Sequence, residues 1–232
     1  MNKEEFIKSV KDVFKDIDSN WINQIELYKV FLREYNKKVN LTRLDDEAKI
    51  YGSYFYESII PYKTVDFNKI NSLLDIGSGS GIPGIVLKIL YPHINLTIIE
   101  SNNKKTIFLN ELIKELDLKN VKVITKRAEI IRPNEREMFD LVTSRAVASI
   151  KVMLELSTPY AKVGGQIIVP KSVNYKNETN GLNQLMSALD VSKEILTFTS
   201  LNDVIHNVLI FKKNKKTNHV YPREWTKIIK NA

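Results

Sequence analysis

The residues of this chain best suited to chemistry stand in one glycine-rich turn, DIGSGSG at positions 75–81. An apolar run precedes the turn and a helical pattern follows it, so the turn joins a strand to a helix. Its glycines permit positive φ and let a ligand approach the bare backbone. The free N–H groups that begin the next helix bind polar or anionic groups. The turn therefore predicts a ligand-binding loop at the carboxyl edge of an α/β sheet.

Two cofactors compete for this loop. Starting at Gly79 the sequence satisfies the dinucleotide pattern GxGxxG, and starting at Asp75 it satisfies DxGxGxG, the first motif of class I methyltransferases that use S-adenosylmethionine (AdoMet). Asp75 suits the positive ammonium of AdoMet, whereas a pyrophosphate would repel it. Pro83 is awkward in the dinucleotide pattern and natural early in a helix. The AdoMet reading explains more, with Asp75, Gly77, Gly79 and Gly81 in the cofactor loop.

A carboxylate ends the next apolar run. Glu100 closes NLTIIE and comes 19 residues after Gly81. At the end of a second parallel strand, such a carboxylate accepts hydrogen bonds from both ribose hydroxyls, whichever cofactor is bound. Glu100 therefore predicts a nucleoside site without choosing between the two cofactors. The alternative is a solvent-facing acid beside a glycine turn.

The composition excludes several other chemistries. The 232 residues include no cysteine and only three histidines, which are far apart. Disulfides, thiolate metal sites, iron–sulfur clusters and a cysteine nucleophile are thereby excluded. We therefore expect no metal and assign no catalytic side chain. Hydrophobic residues at 43% and charged residues at 27% are typical of a globular domain.

The sequence shows no sign of membrane insertion or export. No apolar run is long enough for a transmembrane helix, and the first residues lack the apolar segment of a signal peptide. We therefore expect a soluble, cytoplasmic protein with no membrane partner.

Positive charge is concentrated near the end of the sequence. The net charge is +8, from 35 basic and 27 acidic residues. Residues 211–232 contain seven Lys or Arg and one Glu, which gives +6 there and leaves +2 for the other 210 residues. This asymmetry predicts a polyanionic partner, and a solvated lysine-rich tail is the alternative.

The patterns around these residues divide the chain into two parts. Residues 1–65 are predicted to form an N-terminal helical cap, with helices near 3–16 and 45–60. Between them an apolar stripe from 25 to 35 follows the capping cluster DSN at 18–20.

Residues 66–232 are predicted to form the AdoMet-binding core with its basic C-terminal segment. Strands and helices alternate there, which is typical of right-handed βαβ units in a mostly parallel sheet. We therefore predict an α/β class I methyltransferase fold, Rossmann-like, with a mostly parallel seven-stranded sheet and an N-terminal helical extension. The predicted strands are 72–76, 95–100, 121–125, 139–143, 166–170, 194–199 and 204–211, the last two as an antiparallel edge hairpin.

Several segments together resemble one family, the bacterial 16S rRNA guanine-N7 methyltransferases of the G type. The most specific are DIGSGSGIPGIVLKI at 75–89 and VTSRAVA at 142–148. The others are Asn40-Leu41-Thr42, Lys126-Arg127-Ala128-Glu129 and Tyr221-Pro222-Arg223. The resemblance spans about residues 28–223, which is nearly the whole chain.

The resemblance implies AdoMet as cofactor, contacted at Gly77, Ile82, Ala128, Glu129 and Arg145 by matching position. It implies methylation at N7 of a guanine in the 530-loop region of 16S rRNA, presented by the assembling small ribosomal subunit. We expect the enzyme to be a monomer. Because the N7 lone pair is exposed and no proton has to leave, in-line positioning and exclusion of water suffice without a general base.

The chain departs from the family pattern in three places. Tyr54 and Glu57 stand where the family has the histidine and aspartate of a His-x-x-Asp-Ser segment. Ser172 replaces a glycine, and a helix-like segment beginning with Glu224-Trp225 follows the YPR motif. We therefore assign no catalytic role to Tyr54 or Glu57.

An RNA substrate calls for cations against phosphates and aromatic rings against bases. The candidate cations are Lys37, Lys38, Arg43, Lys126, Arg127, Arg145, Lys171 and those of residues 212–223. The candidate rings are Tyr54, Phe55, Tyr56, Tyr221 and Trp225, most of which fit a core better.

Three other functions stay open at this point. One is a class I methyltransferase that acts on another RNA, a protein or a small molecule. Another is an NAD(P)-dependent oxidoreductase, for which the sequence lacks a recognisable acid–base set. The third is a non-catalytic RNA- or ribosome-binding protein that keeps AdoMet as a structural ligand.

Overall fold

The predicted strands form one sheet. A computed structural model describes residues 1–37, 46–201 and 203–230 of the protein. The first four strands have the predicted bounds. The fifth is longer than predicted because Gly164 and Gly165 lie within it instead of before it, and the last two differ from their predicted bounds by a few residues. The strands are β1 (Ser72–Ile76), β2 (Asn95–Glu100), β3 (Val121–Thr125), β4 (Phe139–Thr143), β5 (Ala161–Lys171), β6 (Val191–Thr199) and β7 (Ile205–Lys213).

The sheet has the order β3-β2-β1-β4-β5-β7-β6. Strands β1 to β5 are parallel, and β7 lies antiparallel between β5 and β6. The class I methyltransferase fold and its antiparallel edge hairpin are therefore confirmed. The chain runs outward from β1 to β3 and resumes at β4 on the other side of β1, so the strand order reverses there. Ligands of open α/β sheets bind beyond the carboxyl ends of the strands at this point.

Helices cover both faces of the sheet and also form the N-terminal region. The α-helices are α1 (Lys3–Val13), α2 (Trp21–Asn36), α3 (Glu47–Lys49), α4 (Glu57–Ile59), α5 (Gly84–Leu90), α6 (Asn103–Glu115), α7 (Ile150–Ser157), α8 (Leu182–Leu189) and α9 (Trp225–Lys230). A π-helical stretch occupies Ile50–Tyr56, and 3-10 turns occupy Ile60–Tyr62, Phe67–Lys69, Pro133–Glu135 and Val173–Glu178.

Alternate residues of the strands face two apolar cores. Leu73 and Leu141 belong to the core beneath α1, α2, α5 and α6, whereas Leu74 and Val142 belong to the core beneath α7, α8 and α9. This alternation follows from the two-residue period of a strand. Both faces of the parallel sheet are therefore covered, as its continuous apolar strands require.

The N-terminal region shares a core with the sheet. Buried Phe6 of α1 and Tyr28 of α2 lie in the same apolar cluster as Leu87 and Phe108 of α5 and α6. The division into residues 1–65 and 66–232 stays a prediction, because the shared core does not separate the two parts.

Some helix predictions differ in detail. The helix predicted near 3–16 ends at Val13. The one predicted near 45–60 is a π-helical stretch between the short α3 and α4. In the capping cluster, Asp18 accepts the Asn20 N–H at 2.7 Å, and the Asn20 side chain makes no cap hydrogen bond to α2. The cluster therefore turns the chain before α2 without capping the helix through Asn20.

Among the described residues, no helix is long and apolar enough to cross a membrane. The same part of the chain contains no group of three or more His, Asp or Glu side chains placed to hold a metal ion.

Candidate functional site

The glycine loop joins β1 to α5 at the carboxyl edge of the sheet. The N–H of Gly77 donates to Ile99 O at 2.7 Å, which ties the loop to β2. Gly77, Gly79 and Gly81 have φ of +70°, +63° and +105°, so each adopts a conformation that favours glycine. The positive φ values explain why the loop needs glycine at three alternate positions.

Space around the glycines differs from one to the next. A Cβ at Gly81 would stand 2.6 Å from the Tyr28 hydroxyl, and one at Gly77 would stand 2.6 Å from Val147 Cγ2. At Gly79 the nearest atom of the described residues is Lys105 Nζ at 4.0 Å, so no described side chain fills the space in front of this glycine. A side chain at Gly79 would therefore enter the cleft, whereas one at Gly81 would collide with the N-terminal region.

Asp75 holds the loop from beneath. It is fully buried, and its Oδ2 accepts the Ser78 hydroxyl at 2.6 Å and the Gly84 N–H at 2.9 Å. Burial raises the pKa of Asp75 to about 7, although these hydrogen bonds lower it. Its Oδ1 is buried with no hydrogen-bond partner among the described residues. The structure places the carboxylate behind the loop, and the predicted contact with a ligand ammonium stays a prediction.

Glu100 closes the loop from the β2 side. Its Oε2 accepts the Gly79 N–H at 3.1 Å, and its Oε1 accepts the Asn102 N–H at 2.9 Å. Each carboxylate oxygen has further lone-pair capacity, so these bonds leave room for hydroxyl donors from a ligand. Glu100 therefore positions the backbone of Gly79 and presents acceptors to the cleft.

Two tyrosines of the N-terminal region bind the outer side of the loop. The Tyr28 hydroxyl donates to Ser80 O, and the Tyr54 hydroxyl lies 3.1 Å from the same carbonyl oxygen and 2.6 Å from Ser80 Oγ. Burial raises the pKa of Tyr28 and raises that of Tyr54 to about 12, so both hydroxyls keep their protons at neutral pH. Tyr54 was predicted only as a candidate ring for RNA bases, and no sequence pattern indicated that Tyr28, in the apolar stripe from 25 to 35, binds the loop.

The loop after β4 contributes Arg145 and Val147. Arg145 donates to the carbonyl oxygens of Ser53 at 3.2 Å and Tyr54 at 3.4 Å, and burial lowers its pKa. Ala146 between them has φ of +55°. Arg145 therefore joins the end of β4 to the π-helical stretch.

A cleft with three connected lobes runs along this edge. The central lobe, of about 510 Å³, is lined by the glycine loop, Glu100 and Arg145. The β3 lobe, of about 200 Å³, is lined by Ser101, Ala128, Glu129 and Trp225 among others. The β5 lobe, of about 490 Å³, extends from Arg145 toward β5 and β7. Val147 lines all three lobes, so it marks their junction.

Most of the predicted cofactor residues line two of these lobes. Gly77, Gly79, Ile82, Glu100 and Arg145 line the central lobe, and Ala128 and Glu129 line the β3 lobe. Asp75 and Gly81 stand behind the loop instead. A cavity of about 580 Å³ between α7, α8 and α9 shares no lining residue with the three lobes and lies away from this chemistry.

The β5 lobe contains polar groups that are already paired. Glu57 accepts the Ser200 hydroxyl at 2.7 Å and pairs with His206. Lys171 donates to Ala148 O and to Glu178, each at 2.7 Å. Glu57 therefore links α4 to the β6–β7 hairpin, a role that sequence reasoning did not identify.

Several candidate RNA contacts prove to be structural. The prediction was wrong for Lys213, which is fully buried and donates to Glu137, Thr158 O and Ala161 O. Lys126 and Lys171 form partly buried ion pairs with acids of their own chain. Tyr54, Phe55 and Tyr56 are buried, as most of the candidate rings were expected to be. Lys38, Asn40-Leu41-Thr42 and Arg43 lie outside the described residues.

Comparison with known proteins points to the same family as the resemblance in the sequence. The family described as rRNA small subunit methyltransferase G matches residues 21–223. Two relatives named "Ribosomal RNA small subunit methyltransferase G" are similar over almost their whole length. The one from Malacoplasma penetrans is 45% identical over 100% of this chain and 99% of the relative, and the one from Bacillus subtilis is 34% identical over 97% and 95%.

Solved structures resemble the fold at low sequence identity. An O-methyltransferase from Bacillus cereus in complex with SAH has a TM-score of 0.58 and 18% identity, covering 89% of this chain and 96% of that one. The O-methyltransferase TomG from Streptomyces achromogenes in complex with SAM has a TM-score of 0.58 and 14% identity, with coverage of 93% and 100%. These likenesses show the fold alone, whereas the family match and the full-length relatives show that this chain belongs to the rRNA small subunit methyltransferase G family.

Proposed function

We propose that this protein is an AdoMet-dependent methyltransferase of 16S rRNA that methylates N7 of a guanine in the 530-loop region. The observation that carries the proposal is the cleft at the point where the strand order reverses. There the glycine loop, Glu100 and Ala128-Glu129 lie on one side, and an acceptor-sized lobe opens on the other. The assembling small subunit is the proposed partner, the cytoplasm the proposed compartment and a monomer the proposed state.

The central and β3 lobes fit AdoMet. Gly79 faces open space, so the backbone forms a cradle that a side chain would fill. Glu100 offers carboxylate oxygens to ribose hydroxyls, and Ala128-Glu129 offers a main chain and a carboxylate to the adenine edge. When bound, AdoMet supplies an electrophilic methyl group on a sulfonium. The residues that would line its site are Gly77, Gly79, Ile82, Glu100, Ala128, Glu129 and Arg145, and Asp75 and Gly81 would support the loop from behind.

The β5 lobe fits the acceptor base. It shares Ser53, Arg145, Ala146 and Val147 with the central lobe, so a base there lies next to the cofactor. Arg145 is held by two carbonyl oxygens and presents its charge at the boundary between the lobes. The walls exclude water and fix the approach of the base, and no side chain has to remove a proton from N7. The chain's role in the transfer is therefore positioning.

The RNA would be held by exposed cations of the C-terminal region. Lys212 and Lys216 are exposed, whereas Lys213 and Arg223 of the same region form ion pairs with Glu137 and Glu155. Contacts of exposed Lys with phosphate weaken as salt rises. A target guanine in irregular or unpaired RNA suits the lobe, because N7 is hard to reach in the deep groove of an RNA helix.

The test uses AdoMet with a labelled methyl group and small subunits from cells that lack this modification. RNA recovered after the reaction is cleaved at N7-methylguanosine and the break is mapped. A single strong break in the 530-loop region is expected. Label elsewhere in the RNA would overturn the proposed target, and binding of AdoMet without transfer to RNA would overturn the proposed substrate.

A further inference from the structure

The C-terminal helix α9 reaches the cofactor cleft. Trp225, its first residue, lines the β3 lobe together with Ala128 and Glu129. The inner side of α9 carries Ile228, which is 2% exposed and belongs to the core beneath α7. The helix therefore has a buried attachment and places an aromatic ring at the edge of the cleft.

The segment before α9 is fixed by an ion pair with α7. Arg223 donates to Glu155 through its backbone N–H at 2.9 Å, its Nε at 2.8 Å and a terminal nitrogen at 2.6 Å. Glu155 is 1% exposed, so this bidentate pair is largely withdrawn from water. Arg223 therefore determines where the following residues lie and is a positioning residue for Trp225.

The ring of Trp225 is part of a chain of contacts that ends at the cleft. The Arg127 guanidinium stands 4.4 Å from the centre of the Trp225 ring, and Arg127 Nε donates to Glu129 Oε1 at 3.0 Å. A cation over an indole face is an attractive arrangement. Trp225 therefore contacts Arg127, whose Nε binds the carboxylate of Glu129.

We infer that Trp225 forms the outer wall of the adenine site and contacts the purine ring of AdoMet directly. The inference rests on the proposed function, because it places adenine in the β3 lobe. An aromatic wall suits a flat purine, because the purine exchanges contact with water for apolar and stacking contact with the ring. Trp225 was also predicted as a candidate ring for RNA bases, and its place beside Ala128 and Glu129 in the β3 lobe favours the cofactor.

The first test uses tryptophan fluorescence. The only other tryptophan is Trp21, which is 2% exposed in the N-terminal core. Titration with S-adenosylhomocysteine or with adenosine is expected to change the emission of the wild-type protein, and methionine is expected to leave it unchanged. In Trp225→Phe the emission change is expected to disappear, because only Trp21 remains.

The second test measures binding of S-adenosylhomocysteine by calorimetry. Trp225→Ala is expected to weaken binding about tenfold, whereas Trp225→Phe, which keeps an aromatic ring, loses less than threefold. Lys227→Ala is the matched control, since it lies on the same helix with its side chain 66% exposed and is expected to bind as the wild type does. Melting curves of all three variants show whether the fold is kept.

The outcomes separate this inference from the proposed function. Gly79→Asp places a carboxylate in the central lobe and is expected to abolish binding. If Gly79→Asp abolishes binding while Trp225→Ala binds as the wild type does, the cofactor site stands and the wall is overturned. An emission change that persists in Trp225→Phe also overturns the wall. Failure of the wild-type protein to bind S-adenosylhomocysteine overturns both.

Discussion

The glycine loop and the C-terminal helix border the same cleft and are held in place differently. The loop is bound from below by Asp75, from β2 by Glu100 and from the N-terminal region by Tyr28 and Tyr54. The helix is held by the ion pair of Arg223 with Glu155, 68 positions apart in sequence, by buried Ile228 and by the contact of Trp225 with Arg127. Many hydrogen bonds converge on the loop, so losing one hydroxyl there should matter less than losing the buried ion pair that attaches the helix.

Gly81→Ala is expected to have the largest effect on the loop. Its Cβ would stand 2.6 Å from the Tyr28 hydroxyl, at a φ of +105°. We expect a loss of about 3 kcal/mol in the free energy of unfolding from strain and overpacking together. Binding of S-adenosylhomocysteine should fall below detection in calorimetry, because the loop cannot keep its path.

Two controls separate strain from collision at Gly81. Gly164→Ala has a similar backbone requirement, with φ of +84°, and no atom of the described part of the chain lies within 4 Å of the new Cβ. It should lose stability without losing affinity. The double variant Tyr28→Phe/Gly81→Ala removes the oxygen that the Cβ meets and should regain part of the affinity. No recovery would assign the loss of affinity to backbone strain or to Ile85, whose Cγ1 would stand 3.0 Å from the new Cβ.

Arg223→Ala is expected to have the next largest effect, on the side of the cleft that α9 forms. It leaves Glu155 buried without its partner, which should cost about 3 kcal/mol in the free energy of unfolding. Affinity for S-adenosylhomocysteine should fall about as far as in Trp225→Ala, because the ring loses its position. Denaturant unfolding and calorimetry measure the two effects. Full affinity in Arg223→Ala would mean that α9 stays docked through Ile228 and Trp225 without the ion pair.

The pH dependence of binding tests the lower side of the loop. Burial raises the pKa of Asp75 to about 7, above its value in the unfolded chain. Ionised Asp75 therefore lowers the free energy of unfolding at high pH, and this loss of stability is relieved as the pH falls below 7. A cation bound near the loop favours the ionised form. The affinity for S-adenosylhomocysteine should therefore fall severalfold from pH 7.5 to 6, and Asp75→Asn should flatten the profile. An unchanged profile in Asp75→Asn would assign the titration to another group.

Tyr28→Phe is expected to have the smallest effect. Ser80 O keeps the Tyr54 hydroxyl at 3.1 Å, so the loss should be about 1 kcal/mol in the free energy of unfolding and less than threefold in affinity. Tyr54→Phe removes a contact with Ser80 Oγ as well and should cost more. A larger loss of affinity in Tyr28→Phe than in Arg223→Ala would mean that the glycine loop, and not α9, depends on a single contact.

The sheet and the loop were predictable because their patterns are local. The bounds of β1 to β4 follow from short apolar runs, and the positive φ values at Gly77, Gly79 and Gly81 explain why the motif is recognisable. Local sequence also predicted the antiparallel edge formed by β6 and β7.

Contacts between distant parts of the chain were not predictable. Nothing near Lys213 in the sequence indicates that three acceptors from β5 and its surroundings bury it, and the basic run around it suggested RNA instead. The contacts of Tyr28 and Trp225 were unpredictable for the same reason, because their partners Ser80 and Arg127 are far away in sequence. Charge and aromaticity identify such residues as important without showing whether they face solvent, a ligand or the core.

The position of α9 has a consequence for local unfolding. The last strand of the sheet ends at Lys213, and α9 lies beyond it, attached to α7 through the pair of Arg223 with Glu155 and through buried Ile228. The segment from Arg223 to Lys230 can therefore detach without breaking a strand or the glycine loop. With Trp225 as the wall of the adenine site, such a local opening would lower the affinity for the cofactor while the sheet stays intact.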